Sequence, residues 1–248
     1  MPSAWTSFPC GTVVARWRYL ESGRIEVEGQ GVVLLKKAWP AAVTQWKDAG
    51  IVAQGQKYGV PVHFIAAIMA IESGGVTVSR SSAGALGIMQ IMPATGRSLA
   101  KSLGIKLSSD DDLMNPNLSI ELGTYYLSSL LRRYHGDFVA AATGYNAGSV
   151  KCLDGPTTCT KGYWGVCTDG SPYPLLAIQA ANSALANGFP APGSLPDLPK
   201  NPIGPLPLQP WIITATTAVG AFLAYKTYER AKQSLRRPQA GRRRPAYA

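Results

Sequence analysis

The sequence predicts a mainly α-helical fold: a helical domain over residues 45–188, a short N-terminal extension with β structure over 1–44, and an apolar helix near the C-terminus. Three observations carry this. A run that is apolar apart from His63, Val62 to Ile71, begins behind Pro61 and stops before Gly74-Gly75. A second segment with apolar residues at helical spacing opens at Asn115-Pro116-Asn117. Alternation of period two, the mark of a half-buried strand, is confined to the first forty residues.

In chain order, Val13-Val14-Ala15, the alternating Arg24-Ile25-Glu26-Val27-Glu28 and Gly31-Val32-Val33-Leu34-Leu35 read as short strands or an extended N-terminal arm. Val43, Trp46, Ile51 and Val52 then take up helical spacing. Proline suits a first helical turn, so Pro61 starts the next helix. A helix apolar on every side is expected at the centre of a core. A Gly/Ser-rich loop follows from Ser79 to Gly87, and Ile88 to Pro93 leads into a helix ending near Leu103. Leu118, Leu122, Tyr125, Tyr126, Leu130 and Leu131 mark the inner face of a long helix to Tyr134. A helix from Phe138 to Thr143 runs into Gly144-Tyr145-Asn146-Ala147-Gly148, and Leu175 to Leu185 reads as the last helix of the domain.

Eight prolines between Phe189 and Pro210 make residues 189–210 a semi-rigid linker. It leads to Trp211–Tyr225, which is free of charge. Fifteen residues fall short of the roughly 20 that cross a bilayer, but extension to Tyr228 with Lys226 snorkelling gives a candidate transmembrane helix over 211–228. Trp211, Tyr225 and Tyr228 bracket it as interfacial aromatics do. The competing reading is a helix that buries itself or binds a partner. Of the net charge of +10, the stretch from Lys226 onward carries +7, so the tail over 229–248 is a ligand for anionic lipid, nucleic acid or anionic wall polymer.

Cys152, Cys159 and Cys167 lie close together, with Cys10 distant. Their spacing does not match a zinc site. A local disulfide and free thiols both remain open. Met1-Pro2-Ser3-Ala4-Trp5 lacks the basic and apolar regions of a secretory signal, so no Sec-type leader is expected.

Glu72 is the first candidate for chemistry. It ends the apolar helix and borders a glycine-rich loop with room for a ligand. A carboxylic acid in apolar surroundings has the raised pKa needed to protonate a poor leaving oxygen. Glu72-Ser73, Gly84-Ala85-Leu86-Gly87-Ile88-Met89-Gln90-Ile91-Met92-Pro93 with Thr95, Asn117, Gly123, Tyr126-Leu127 and Tyr145-Asn146-Ala147-Gly148 form an ordered series. The series resembles the catalytic domain of the soluble lytic transglycosylase family, whose fold is lysozyme-like, of the goose type. The resemblance spans about residues 45–155.

It implies cleavage of peptidoglycan glycan strands with Glu72 as acid and base. Ser73, Ser81, Met89, Gln90 and Met92 would line the glycan groove or adjoin the reacting sugar. Tyr145 would help hold the carboxyl and Asn146 would contact substrate. Ile88 stands where the family more often has Leu, and Gly144 where it usually has Ala. No metal or cofactor is implied.

Between Glu72 and Asp110 the sequence holds no Asp or Glu. An inverting hydrolase needs a second carboxylate to activate water, so a one-carboxylate reaction forming 1,6-anhydromuramoyl ends is expected. Lysozyme-like hydrolysis with Glu121 or Asp137 as a distant base is the alternative, and a non-enzymatic peptidoglycan-binding scaffold is a third reading. An enzyme of this kind without a leader would reach the wall from a phage virion, among other virion proteins and anchored to a membrane. Placement in the bacterial envelope by a secretion machine is the alternative.

Overall fold

Sheet and helices divide the chain much as its periodicities do. A computed structural model describes residues 3–7, 16–148 and 173–191. Cys10, Cys152, Cys159 and Cys167, the apolar run 13–15, the linker beyond 191, the apolar segment 211–228 and the basic tail lie outside the described residues. Among the described residues no helix is long and apolar enough to cross a membrane.

The N-terminal part is a three-stranded antiparallel sheet in the order β1 (Thr6–Ser7), β2 (Arg16–Tyr19), β3 (Ile25–Val27). Trp17 pairs with Val27 and Tyr19 with Ile25, so these four side chains share one face, while Arg18 and Glu26 share the other. The alternation therefore sorts the sheet. Trp17, Ile25 and Val27 are buried in the main core, and Arg18 binds Glu26 at 2.7 Å on the opposite face. The sequence expectation of a strand over 31–35 is not met; only Gly31 bridges to Val27. The reason is that the backbone groups of Val33 and Leu35 are taken by side chains of a helix, Asn182 and Ser183.

Helix α1 (Ala41–Gln45) passes through a π-helical turn (Lys47–Ile51) into α2 (Val52–Tyr58). Gly59, in the left-handed region at φ 71°, ends α2. Helix α3 (Val62–Glu72) is buried from Val62 to Met69 and forms the centre of the core. Burial pushes His63 down to about 4, which keeps it neutral, and its ring lies tilted against that of Phe64 with centroids 4.2 Å apart. Helices α4 (Pro93–Ser102), α5 (Pro116–Arg133), α6 (Phe138–Ala147) and α7 (Tyr173–Ala186) surround it, with a 3-10 turn (Asp110–Met114) before α5. Asn115 caps α5 by accepting from the Asn117 and Leu118 amides, and Asp137 caps α6 by accepting from Ala140 at 2.8 Å.

Two helix ends differ from the expectation. Helix α6 continues past Thr143 to Ala147 and so carries Tyr145 and Asn146 on its last turn. Gly144 does not break it. A Cβ there would lie 3.0 Å from the Tyr134 ring and 3.1 Å from Leu130, so the glycine admits close helix packing. Helix α7 starts at Tyr173 rather than Leu175. It packs chiefly on α3 and also on α6. Its first residue meets the last residue of α3, which makes the two helices antiparallel.

Candidate active site

Glu72 occupies the last position of α3, where the helix is leaving the core. Its residue surface is only half-buried, yet its carboxyl sits deep enough that loss of hydration raises its pKa to about 7. One hydrogen bond opposes this rise: the Tyr173 hydroxyl donates to Glu72 Oε1 at 2.6 Å. Tyr173 is itself pushed well above the usual phenol range, first by burial and then by the nearby carboxylate. It therefore stays protonated and remains a donor. Sequence reasoning missed this residue.

Beyond Glu72 the chain turns through Gly74 and Gly75, both at positive φ. At Gly75 a side chain would strike the backbone of α1, with a Cβ 2.6 Å from the Val43 nitrogen. The following loop folds back as a small hairpin. Leu86 and Ile91 exchange two backbone hydrogen bonds of 3.0 and 2.9 Å, and the Gln90 amide closes the turn onto Gly87 O. Gln90 holds a left-handed φ of 48°. Its side-chain amide donates to Gly87 O at 2.8 Å and Ser79 O at 3.2 Å, which ties the turn to the loop before it.

Two side chains fasten the hairpin, one just past the Glu72 end of α3 and one on the last turn of α6. Ser73 donates to Ile88 O at 2.6 Å, and the Tyr145 hydroxyl donates to Met89 O at 2.9 Å. Tyr145 was expected to hold the carboxyl; its hydroxyl goes to this carbonyl instead. It still lies close to Glu72: burial first, and then the charge of Glu72, pushes the phenol well above its usual range. Its ring lies 5.1 Å from that of Tyr126. Met89 was expected along a groove, but its side chain is fully buried and packed so that a Cβ on Gly123 would come within 2.8 Å of it. Only its carbonyl serves the site.

Ser81 accepts from the Ala85 amide at 2.9 Å within the loop. Met92 caps the start of α4, and Asn146 lies on the last turn of α6; both are half-buried. The structure thus gathers Glu72, Ser73, Met89 O, Tyr145 and Tyr173, with Gln90 bracing the turn. Gly87 is the tightest point of this arrangement. At φ 74°, a Cβ would sit 2.1 Å from Leu113 O. Gly87→Ala is expected to cost more than about 3 kcal/mol, through strain and overpacking together, as read by urea denaturation.

Four other acids among the described residues have partners of their own. Glu121 accepts from Lys57 at 2.6 Å and from the Tyr58 hydroxyl at 2.8 Å. Asp137 caps α6, and burial raises it to about 6. Asp110 and Asp111 pair with Arg97 and Arg80.

Residues 50–154 match the family described as Transglycosylase SLT domain. The chain is 32% identical over 133 residues to the peptidoglycan transglycosylase gp16 of Escherichia phage T7, covering 52% of this chain and 10% of that protein. It is 30% identical over 149 residues to the transglycosylase of Enterobacteria phage PRD1, covering 60% and 47%. With the endo-type membrane-bound lytic murein transglycosylase A of Klebsiella pneumoniae it shares 42% identity over 78 residues, 31% and 38%. A solved structure of an inactive mutant of the lytic transglycosylase Slt from Pseudomonas aeruginosa aligns with a TM-score of 0.49 and 29% identity, over 56% of this chain and 24% of that one. The chain spans less than half the length of these relatives. Glu72, the hairpin and Tyr145 fall inside the stretch that matches the Transglycosylase SLT domain family, and Tyr173 falls outside it.

Proposed function

We propose that this protein is a peptidoglycan lytic transglycosylase that cleaves the β-1,4 bond between N-acetylmuramic acid and N-acetylglucosamine with Glu72 as its one catalytic carboxylate. The observation that carries the reading is a buried carboxyl at the end of α3, raised to about 7 and held by a tyrosine hydroxyl. At neutral pH such a group exists in both forms, as a residue that must give and then take a proton requires.

In this reading Glu72 protonates the glycosidic oxygen and the C1–O bond breaks. The substrate's N-acetyl group stabilises the cationic centre. Tyr173 engages Oε1, so the transferred proton is carried on Oε2. Ionised Glu72 then takes the proton of the muramoyl 6-hydroxyl as its oxygen closes onto C1. No water is consumed. Half-buried Ser81, Gln90, Met92 and Asn146 would contact the glycan, while Ser73 and Tyr145 set the wall of the site.

Hydrolysis of the same bond is the second reading. It asks for a carboxylate to activate water, and the engagements of Glu121 and Asp137 supply the argument against it. Digestion of purified sacculi followed by mass spectrometry separates the two. Anhydro ends, lighter by one water than reducing ends, are expected; reducing ends would point to hydrolysis, and no products to a scaffold.

Two relatives belong to phages, which supports a virion enzyme that opens the wall locally during genome delivery. Segment 211–228 would anchor it in a membrane, and the basic tail would meet anionic lipid or nucleic acid. Full-length protein is expected in the detergent phase on partitioning, and protein lacking residues 211–248 in the aqueous phase.

A further inference from the structure

We propose that the N-terminal sheet is a clamp for the active site, with Asn182 and Tyr19 as positioning residues that hold the two tyrosine-bearing helices at Glu72. The proposal rests on the reading of Glu72 as the acid, but its two positioning residues lie outside the matched residues 50–154.

Each tyrosine beside Glu72 sits at one end of a helix: Tyr145 on the last turn of α6 and Tyr173 on the first turn of α7. Both hydroxyls make bonds under 3 Å, to Met89 O and Glu72 Oε1. An axial slip of 1 Å in either helix would break such a bond. Apart from Pro174 and Ile178, the buried apolar residues of α7 are alanines: Ala177, Ala180, Ala181 and Ala184. Methyl groups let helices approach closely, but they form shallow ridges that resist sliding poorly.

Directional bonds to the N-terminal segment supply what these alanines lack. The Asn182 side chain is fully buried. It accepts from the Ile25 amide at 2.8 Å, and donates to Ile25 O at 2.8 Å and Val33 O at 2.9 Å. Ser183 accepts from the Leu35 amide at 2.9 Å. On the neighbouring strand, the hydroxyl of Tyr19, the cross-strand partner of Ile25, accepts from the Phe138 amide at 2.9 Å and donates to Gly136 O at 3.0 Å, at the very start of α6. One small sheet thus grips α6 at its first residue and α7 in its middle, and these are the helices that deliver Tyr145 and Tyr173.

The test measures the Glu72 carboxyl directly in full-length protein, by carbon NMR titration with Glu72→Gln as the assignment control, together with pH–rate profiles on sacculi. In Asn182→Ala the Tyr173 bond is weakened, so the Glu72 titration moves to higher pH. The rate constant kcat falls about tenfold or more, and KM changes less. Asn182→Ala added to Tyr173→Phe shifts the titration no further. Tyr19→Phe keeps the ring among Trp17 and Phe64 and is the second variant should Asn182→Ala not fold; it is expected to lower kcat in the same manner. A folded Asn182→Ala or Tyr19→Phe with lowered melting temperature but unchanged Glu72 titration and unchanged kcat overturns the proposal. Because the titration needs no substrate, absence of glycan cleavage in the wild type would refute the enzymatic reading without deciding the clamp.

Discussion

Glu72→Gln is expected to slow glycan cleavage by between about 100- and 10,000-fold, the usual worth of a positioned acid–base group, and to do so without unfolding the protein. Glutamine keeps the shape and can still accept from Tyr173, but it has no proton to give. The same substitution changes stability in a pH-dependent way. The carboxyl binds its proton more tightly folded, at about 7, than at the ordinary 4.5. Folded protein therefore holds more protons between these values, and wild-type stability declines as pH rises through that window. The decline amounts to at most about 3 kcal/mol, less for a residue in partial contact with water. Glu72→Gln lacks it and is expected to melt higher than wild type above pH 7, as calorimetry at several pH values would read.

Tyr173→Phe has the second largest expected effect. The hydroxyl supports Glu72 most when the carboxylate is charged, which is the state formed once the glycosidic oxygen has taken the proton. A hydrogen bond to a charged group contributes about 1.5–3 kcal/mol, so the rate is expected to fall by roughly 10- to 100-fold. Because this bond lowers the Glu72 pKa, its removal carries the alkaline limb of the pH–rate profile to higher pH, not lower. Tyr145→Phe differs in kind. It frees Met89 O and loosens the hairpin, so KM is expected to rise along with the loss of rate.

Glu72 was legible because its setting is local: an apolar helix, its end and a glycine turn all lie within fifteen residues. The ordered motifs also singled out Gln90, which braces the hairpin turn, and Tyr145, which bonds the Met89 carbonyl. What each hydroxyl does was not legible, since Tyr145 bonds a carbonyl whose position depends on how the hairpin folds back. Tyr173 was missed altogether. Its partner lies 101 residues earlier, and the pairing exists only because α3 and α7 run antiparallel. The first turn of α7, with Pro174 as its second residue, also read as lying before the helix.

The sheet shows the same division. Period-two alternation at Arg24 to Glu28 found β3, and Arg16-Trp17-Arg18-Tyr19 carries the same signal, unread, for β2. Residues 31–35 have strand composition, but their backbone is satisfied by Asn182 and Ser183, a tertiary arrangement that composition cannot convey. The residues expected to form an N-terminal extension therefore put Trp17, Ile25 and Val27 into the common core.

The central claim is that Glu72 works alone as acid and base, with the substrate's own hydroxyl as nucleophile. Digestion of purified peptidoglycan in heavy-oxygen water tests it most directly. The account predicts anhydromuramoyl ends that contain no solvent oxygen. New muramoyl ends labelled with heavy oxygen from the first turnover would show water as the nucleophile and contradict it.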